Sequence, residues 1–240
     1  MKGIILAAGR GRRMGDLTSE LPKCRTKLHG KSLIDWQLEA LRNSGIDDIA
    51  IVRGYLADTF DYNVQYFENS RWAETNMVMS LAASERWLQA DTCLVSYSDI
   101  VYSSDTVTRL MSAKGDICIT YDKNWKELWE LRFDEPLSDA ETFKLNNDQV
   151  IEIGNKTASY KNIEGQYMGL TRFTPTGWEK VTQLLSKINK KQQDCLDMTM
   201  LFQELIAIDT QIFAVPINDN WYEVDSESDL IKYNKLDCLF

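Results

Sequence analysis

A glycine loop dense in positive charge lies near the start of this chain: Leu6-Ala7-Ala8-Gly9-Arg10-Gly11-Arg12-Arg13-Met14, followed by Pro22-Lys23. Small residues directly after a strand let the backbone approach a ligand closely, and successive N–H groups can cradle phosphate oxygens. Between residues 10 and 31 there are seven basic side chains (Arg10, Arg12, Arg13, Lys23, Arg25, Lys27, Lys31) and only two acidic ones, Asp16 and Glu20, in a chain of net charge −9. An acidic chain that gathers positive charge in one loop is equipped to hold a small anion there. The loop is not a dinucleotide fingerprint, because Gly-x-Gly-x-x-Gly would need glycine where Met14 stands, and no Walker A pattern is present. A nicotinamide-dependent oxidoreductase is disfavoured on that ground.

Two aspartates are placed to complement such a loop. Asp99 follows the apolar run Cys93–Tyr97, at the carboxyl end of a buried strand, where ligands bind in open α/β sheets. Asp225 lies between a short strand and a helix that Ser226 can cap. Two carboxylates suit Mg²⁺, a hard cation that takes oxygen ligands and keeps several waters. Each aspartate also has a plainer reading as a turn or cap residue. Asn76 heads a helix and serves equally as its cap or as a ligand contact. Lys156 lies just past a hairpin, where the plain reading is a solvated loop lysine. Trp125 and Trp129 are four apart, so a helix would present both indoles on one face. With Asp122 and Glu141 nearby they offer an ammonium site, worth ~0.5–2 kcal/mol per contact; core packing is the equal alternative.

The elements that must position these residues follow from apolar periodicity. Lys2 to Ala7 is a buried strand. Ser32 caps a helix running to Asn43, with Gly45 as its stop. Strands are expected at Asp48–Val52, Val64–Phe67, Cys93–Tyr97 and Asp116–Tyr121, and helices over Asn76–Leu88 and Ser104–Ala113. This alternation predicts an α/β fold: a Rossmann-like, mostly parallel, doubly wound sheet. The second half changes character, with a hairpin (Thr142–Leu145 and Val150–Ile153) and a strand Gly165–Phe173. Helices Gly177–Ile188 and Asp197–Ile206, a strand Gln211–Val215 and a last helix after Asp225 follow. Without linker or repeat, the expectation is one domain over 1–240, with a smaller β-rich second lobe (123–240) that carries the Asp225 segment.

Composition excludes several classes. The 44% hydrophobic and 26% charged fractions are those of a soluble globular protein, and no apolar run approaches the ~20 residues of a membrane span. The first residues are too short an apolar stretch for a signal peptide. Five scattered cysteines without a Cys-x-x-Cys pair read as reduced thiols of a cytoplasmic protein. The negative charge argues against nucleic acid. The single histidine, His29 beside Gly30, reads as a turn residue, which removes His-based catalysis. Oligomeric state is open, and a homo-oligomer is compatible with the sequence.

The stretch Gly3–Lys23 resembles the nucleotidyltransferases that activate sugar 1-phosphates, phosphocholine and isoprenoid precursors, whose signature is Leu-Ala-Ala-Gly-x-Gly-x-Arg-Met with a downstream Pro-Lys. The resemblance covers nearly the whole chain and is strongest to the phosphocholine cytidylyltransferase-like branch, which includes enzymes acting on phosphorylated amino acids such as phosphoglutamine for surface and capsule polysaccharides. It rests further on Trp72–Val78, Ser96–Ile100, Asp139–Thr142, Gly165–Leu170 and Trp221–Asp225. It implies a nucleotide-binding half over 1–122, an acceptor-binding lobe over 123–240, and contact of Arg13 and Lys23 with the triphosphate. Leu6, Ala7, Ala8, Gly9, Gly11, Arg12, Asn76 and Ser98 would bind the nucleotide, and Asp99 and Asp225 would hold Mg²⁺. Trp125, Trp129, Glu141, Lys156 and Tyr167 would receive the acceptor. One departure matters: the branch often has Asp-x-Asp where this chain has Tyr97-Ser98-Asp99, so one carboxylate is missing.

The implied reaction joins CMP from CTP to a small phosphorylated acceptor and releases pyrophosphate. The nucleophile is already an anionic phosphate oxygen, so positioning and charge stabilisation supply most of the catalysis, and no base is needed. A sugar-1-phosphate nucleotidyltransferase shares the same first 23 residues and is the alternative. A non-catalytic nucleotide-binding regulator would be expected to lose Arg13, Lys23 or the aspartates, and all are present.

Overall fold

The computed structural model describes residues 1–240. Its first half is a repeating strand–helix pattern. Strand β1 (Lys2–Ala7) leads through the glycine loop and a hairpin, β2 (Lys27–Leu28) and β3 (Lys31–Ser32), into helix α1 (Leu33–Asn43). Ser32 caps α1, accepting from the Asp35 N–H at 3.2 Å. His29 (φ 51°) sits in the hairpin turn beside Gly30, as its sequence context suggests. Strands β4 (Ile49–Arg53) and β5 (Gln65–Glu68) follow, then α2 (Met77–Ala82), α3 (Glu85–Ala90), β6 (Cys93–Tyr97), the two-residue β7 (Ile100–Val101), α4 (Ser104–Ser112) and β8 (Ile117–Asp122).

The second half contributes α5 (Trp125–Arg132), the hairpin β9 (Glu141–Asn146) and β10 (Gln149–Lys156), β11 (Gln166–Phe173), α6 (Pro175–Lys187), α7 (Lys190–Cys195) and α8 (Met198–Ala207). It ends with β12 (Phe213–Pro216), β13 (Tyr222–Glu223) and α9 (Glu227–Tyr233). Two helices differ from expectation. The helix expected over Asn76–Leu88 is broken around Ala83-Ser84 into α2 and α3, because the buried Ser84 hydroxyl bonds back to the Leu81 carbonyl and interrupts the ladder. Helix α7, too polar to show an apolar stripe, is fixed instead by a capping box between Asn189 and Gln192.

Nine strands form one sheet in the order β5-β4-β1-β6-β11-β8-β12-β10-β9. The block β5-β4-β1-β6 is parallel throughout, the Rossmann-like half. Strand β11 then enters antiparallel to both β6 and β8, so the sheet as a whole is mixed. Strands β9 to β12 extend this same sheet, while β13 pairs apart from it with β7 as a two-stranded ribbon.

Alternate residues of the central strands face opposite ways, as a pleated strand requires. Ile5, Ala7, Ile51 and Leu94 enter one core, under α1, α4, α5 and α9, while Ile4, Leu6, Val52 and Val95 enter the other, under α2, α6 and α8. Covering both faces is what makes these strands read as continuous apolar runs. On β10 a register shift between Val150 and Glu152 breaks the alternation, so Ile153 is buried while Ile151 is half exposed. Ile153→Ala should therefore cost about 2–5 kcal/mol of folding stability and Ile151→Ala within about 0.5 kcal/mol, read by urea denaturation. Equal effects would contradict this placement of β10.

Candidate active site

The glycine loop leaves the carboxyl end of β1, and Asp99 leaves the carboxyl end of β6, its parallel neighbour. The two therefore open on one edge of the sheet, where a cavity of about 300 Å³ is lined by Leu6, Gly9, Gly11, Arg12, Arg13, Lys23, Met77, Tyr97, Ser98 and Asp99. Ala7 and Ala8 lie behind this lining, fully buried.

Lys23 is the centre of the site. Its side chain is buried, and its Nζ donates to Asp99 Oδ2 at 2.6 Å and to Asp225 Oδ1 at 2.6 Å. Burial works against the ammonium, but Asp99 and Asp225 outweigh it and raise the pKa above that of a free lysine, so Lys23 is a fixed cation. The lysine reaches this position because Gly11, at φ 67°, has no side chain; a Cβ there would come within 2.8 Å of the Lys23 Cβ and Cδ. The exposed Arg13 adds a second cation, 3.0 Å from Asp225 Oδ1.

Asp99 and Asp225 are 126 residues apart, as their numbers give (225 − 99), yet both bond one ammonium. Strand β13 makes this possible by pairing antiparallel with β7, Glu223 opposite Ile100, and the Val224 N–H then donates to the Asp99 carbonyl at 2.8 Å. Gln37 of α1, wholly buried, holds the turn from beneath, its Nε2 donating to the carbonyls of Tyr97 (2.8 Å) and Ile100. Burial pushes the Asp225 carboxyl upward, but Lys23, Arg13 and Arg132 more than offset this, so it is held below the usual carboxylate range.

Behind Asp225 lies a group the sequence reading missed. Arg132, its side chain 1% exposed, contacts Glu223, Asp225 and Asp229 together. Around the site Arg13, Lys23 and Arg132 are ion-paired with Asp99, Glu223, Asp225 and Asp229, and burial, with Asp225 beside it, raises the Glu223 pKa to about 7. One carboxylate oxygen, Asp99 Oδ1, is buried without any partner.

The remaining expected residues are dispersed. Asn76 is the cap of α2: its side-chain oxygen accepts from the Met77 N–H at 2.8 Å, and its amide donates to the Cys195 carbonyl. Ser98 lines the cavity beside Asp99. Tyr97 lays its ring over Gly169 (φ 88°), where a Cβ would approach within 2.7 Å, and meets Tyr167 edge-on. Tyr167 bonds Thr171 through its hydroxyl. Glu141 and Lys156 face each other across the β9–β10 pair; burial raises the Glu141 pKa, with Lys156 opposing, while Lys156 Nζ donates to the Asp139 carbonyl at 2.8 Å.

Trp125 and Trp129 are a correction to the expected ammonium site. Both are 4% exposed. They pack on each other, Trp125 stacks on Tyr160, Trp129 meets Trp221, and the Trp129 N–H donates to Asp139 Oδ2. Their faces are covered by neighbours, so they act in packing.

An anion loop set against facing carboxylates on the carboxyl edge of an α/β sheet suits transfer of a nucleotidyl group, and the sequence relationships agree. The chain belongs to the MobA-like NTP transferase domain family, which it matches over residues 3–158; it is a nucleotidyltransferase. It is 38% identical to CTP:phosphoglutamine cytidylyltransferase of Campylobacter jejuni subsp. jejuni serotype O:2, over 96% of this chain and 98% of that protein. Choline-phosphate cytidylyltransferase of Streptococcus pneumoniae is 42% identical over 34% of this chain and 38% of its own length. The inositol-1-phosphate CTP transferase structure from T. maritima shares the fold, with a TM-score of 0.76 at 18% identity over 98% of this chain and 96% of that one. No helix is long and apolar enough to cross a membrane.

Replacing Lys23 tests the centre of this arrangement. Lys23→Ala should lower turnover by about 10²–10³-fold, the usual effect of removing one charge-stabilising donor, with the circular dichroism spectrum retained. Full activity in that variant would remove Lys23 from the site.

Proposed function

We propose that the chain transfers CMP from CTP to a small phosphomonoester carrying an amino group, phosphoglutamine being the first candidate, and releases pyrophosphate. The observation that carries this reading is the near-full-length relationship to CTP:phosphoglutamine cytidylyltransferase. On this reading Arg13 and Lys23 bind and orient the triphosphate, with Leu6, Gly9, Gly11, Arg12 and Ser98 forming its cradle. Glu141, Lys156 and Tyr167 remain the acceptor candidates, a carboxylate for the amine and an ammonium for the phosphate. The acceptor phosphate is itself the nucleophile, so the chain needs no proton-abstracting group. His29 is committed elsewhere, its Nε2 lying 2.9 Å from the Tyr233 carbonyl.

The donor set suits Mg²⁺. The carboxylates of Asp99 and Asp225, with Asp99 Oδ1 unpartnered, are hard oxygen ligands. No group of three or more His, Cys, Asp or Glu side chains forms a protein-only cage, and Mg²⁺ in nucleotide enzymes is commonly held by one or two carboxylates plus phosphate. Asp99 and Asp225 would hold it, and when bound it would neutralise charge developing on the phosphate oxygens. The same reading has the enzyme working in the cytoplasm, in keeping with its five free cysteines, and supplying a CDP-linked donor for surface polysaccharide.

Pyrophosphate release tests the proposal, with four NTPs crossed against phosphoglutamine, phosphocholine, phosphoethanolamine and sugar 1-phosphates. Release with CTP and an amine-bearing phosphate, abolished by EDTA and restored by Mg²⁺, is the expected result. Release only with a sugar 1-phosphate, or only with another NTP, would overturn it.

A further inference from the structure

We infer that Arg132 is a positioning residue for the reaction, acting on the metal-side carboxylate of Asp225 from behind; the inference rests on Asp225 as a metal ligand. Arg132 does not line the cavity, and its side chain is 1% exposed, so it cannot touch a substrate. It acts instead on how Asp225 is presented. The two oxygens of that carboxylate are divided: Oδ1 faces the site and meets Lys23 at 2.6 Å and Arg13 at 3.0 Å, while Oδ2 is held by Arg132 Nη2 at 3.2 Å. The guanidinium therefore fixes the rotation of the carboxylate.

The same side chain fixes the backbone that carries Asp225. Arg132 Nε lies 3.4 Å from Asp229 Oδ1, and Asp229 Oδ2 accepts from the Asp225 N–H (3.0 Å), the Ser226 N–H (2.9 Å) and the Ser226 hydroxyl (2.9 Å). Its third nitrogen, Nη1, pairs with Glu223 on β13. One planar fork thus spans three carboxylates, a geometry an ammonium cannot reproduce. Without it, Glu223, Asp225 and Asp229 would crowd like charges into a buried volume and be driven to separate.

Arg132 is itself held. Its guanidinium lies over the rings of Trp129 (5.4 Å) and Phe133 (4.9 Å), and its carbonyl accepts from Lys232 Nζ at 2.8 Å, tying α5 to α9. A guanidinium keeps its proton throughout the working pH range, so it is a permanent cation. This gives the buried tryptophan pair a part in the site: Trp129 is the platform on which the guanidinium lies.

The test measures Mn²⁺ affinity by electron paramagnetic resonance, with saturating CTP, in wild type, Arg132→Met, Arg132→Lys, Asp225→Asn and the double variant Arg132→Met/Asp225→Asn, alongside turnover and thermal midpoint. Arg132→Met should weaken Mn²⁺ binding and lower kcat by tenfold or more, with the KM for CTP moving far less. Arg132→Lys should fall between Met and wild type. In the Asp225→Asn background, Arg132→Met should add little further loss, because both act through one carboxylate. Unchanged Mn²⁺ affinity in folded Arg132→Met, or fully additive losses in the double variant, would overturn the inference while leaving Asp225 as a ligand. If Arg132→Met does not fold, Arg132→Lys decides: weakened Mn²⁺ binding supports the role, and wild-type binding overturns it. Unchanged Mn²⁺ binding in Asp225→Asn would instead sink the metal role of Asp225, and this inference with it.

Discussion

One buried ammonium shared by two carboxylates organises this molecule. Lys23 arrives on the loop after β1, Asp99 on the turn after β6 and Asp225 on the segment after β13, and only the lysine touches both aspartates. Taking a lysine and two carboxylates out of water is costly unless they meet at close range, so three distant segments are constrained to one geometry. Gly11 leaves room for the lysine, Gln37 braces the turn before Asp99, and the β7–β13 pair sets the distance to Asp225.

The electrostatics are layered. Exposed Arg13 and buried Lys23 stand on the cavity side of Asp225, and fully buried Arg132 stands on the other. The front pair is available to an anionic ligand, whereas the rear guanidinium is committed to the protein. The unpartnered Asp99 oxygen leaves the cluster suited to further positive charge. A nucleotidyltransferase meets that need when a triphosphate and its cation arrive together.

The sheet explains how the Rossmann-like half and the rest of the chain share one layer. The parallel strands β4, β1 and β6 bring the glycine loop and Asp99 to one edge, and antiparallel β11 then joins the rest of the chain to the same layer. Gly169, in the irregular stretch of β11 where the pairing register shifts, opens a slot that Tyr97 fills. Tyr97 thus makes an aromatic contact between β6 and β11.

Local physics made much of this legible in the sequence. Strand β1, helix α1 with its Ser32 cap, strand β6 and the Ser226-capped last helix follow from apolar periodicity and short-range hydrogen bonds, which involve only neighbouring residues. The glycine loop and Lys23 were legible because phosphate binding demands small residues and positive charge close together in the chain. The meeting of Asp99 with Asp225 was decided by tertiary structure alone, since a β13–β7 pairing across more than a hundred residues leaves no local trace. The same holds for the tryptophans. Helical spacing correctly put Trp125 and Trp129 on one face, but whether that face meets ligand or core depends on Tyr160 and Trp221, far along the chain. Arg132 had a faint signal, a charge continuing the apolar stripe of Trp125, Leu128 and Trp129 on α5. A charge on a buried face announces that a partner exists, but only the folded chain, bringing Glu223, Asp225 and Asp229 around it, says which one.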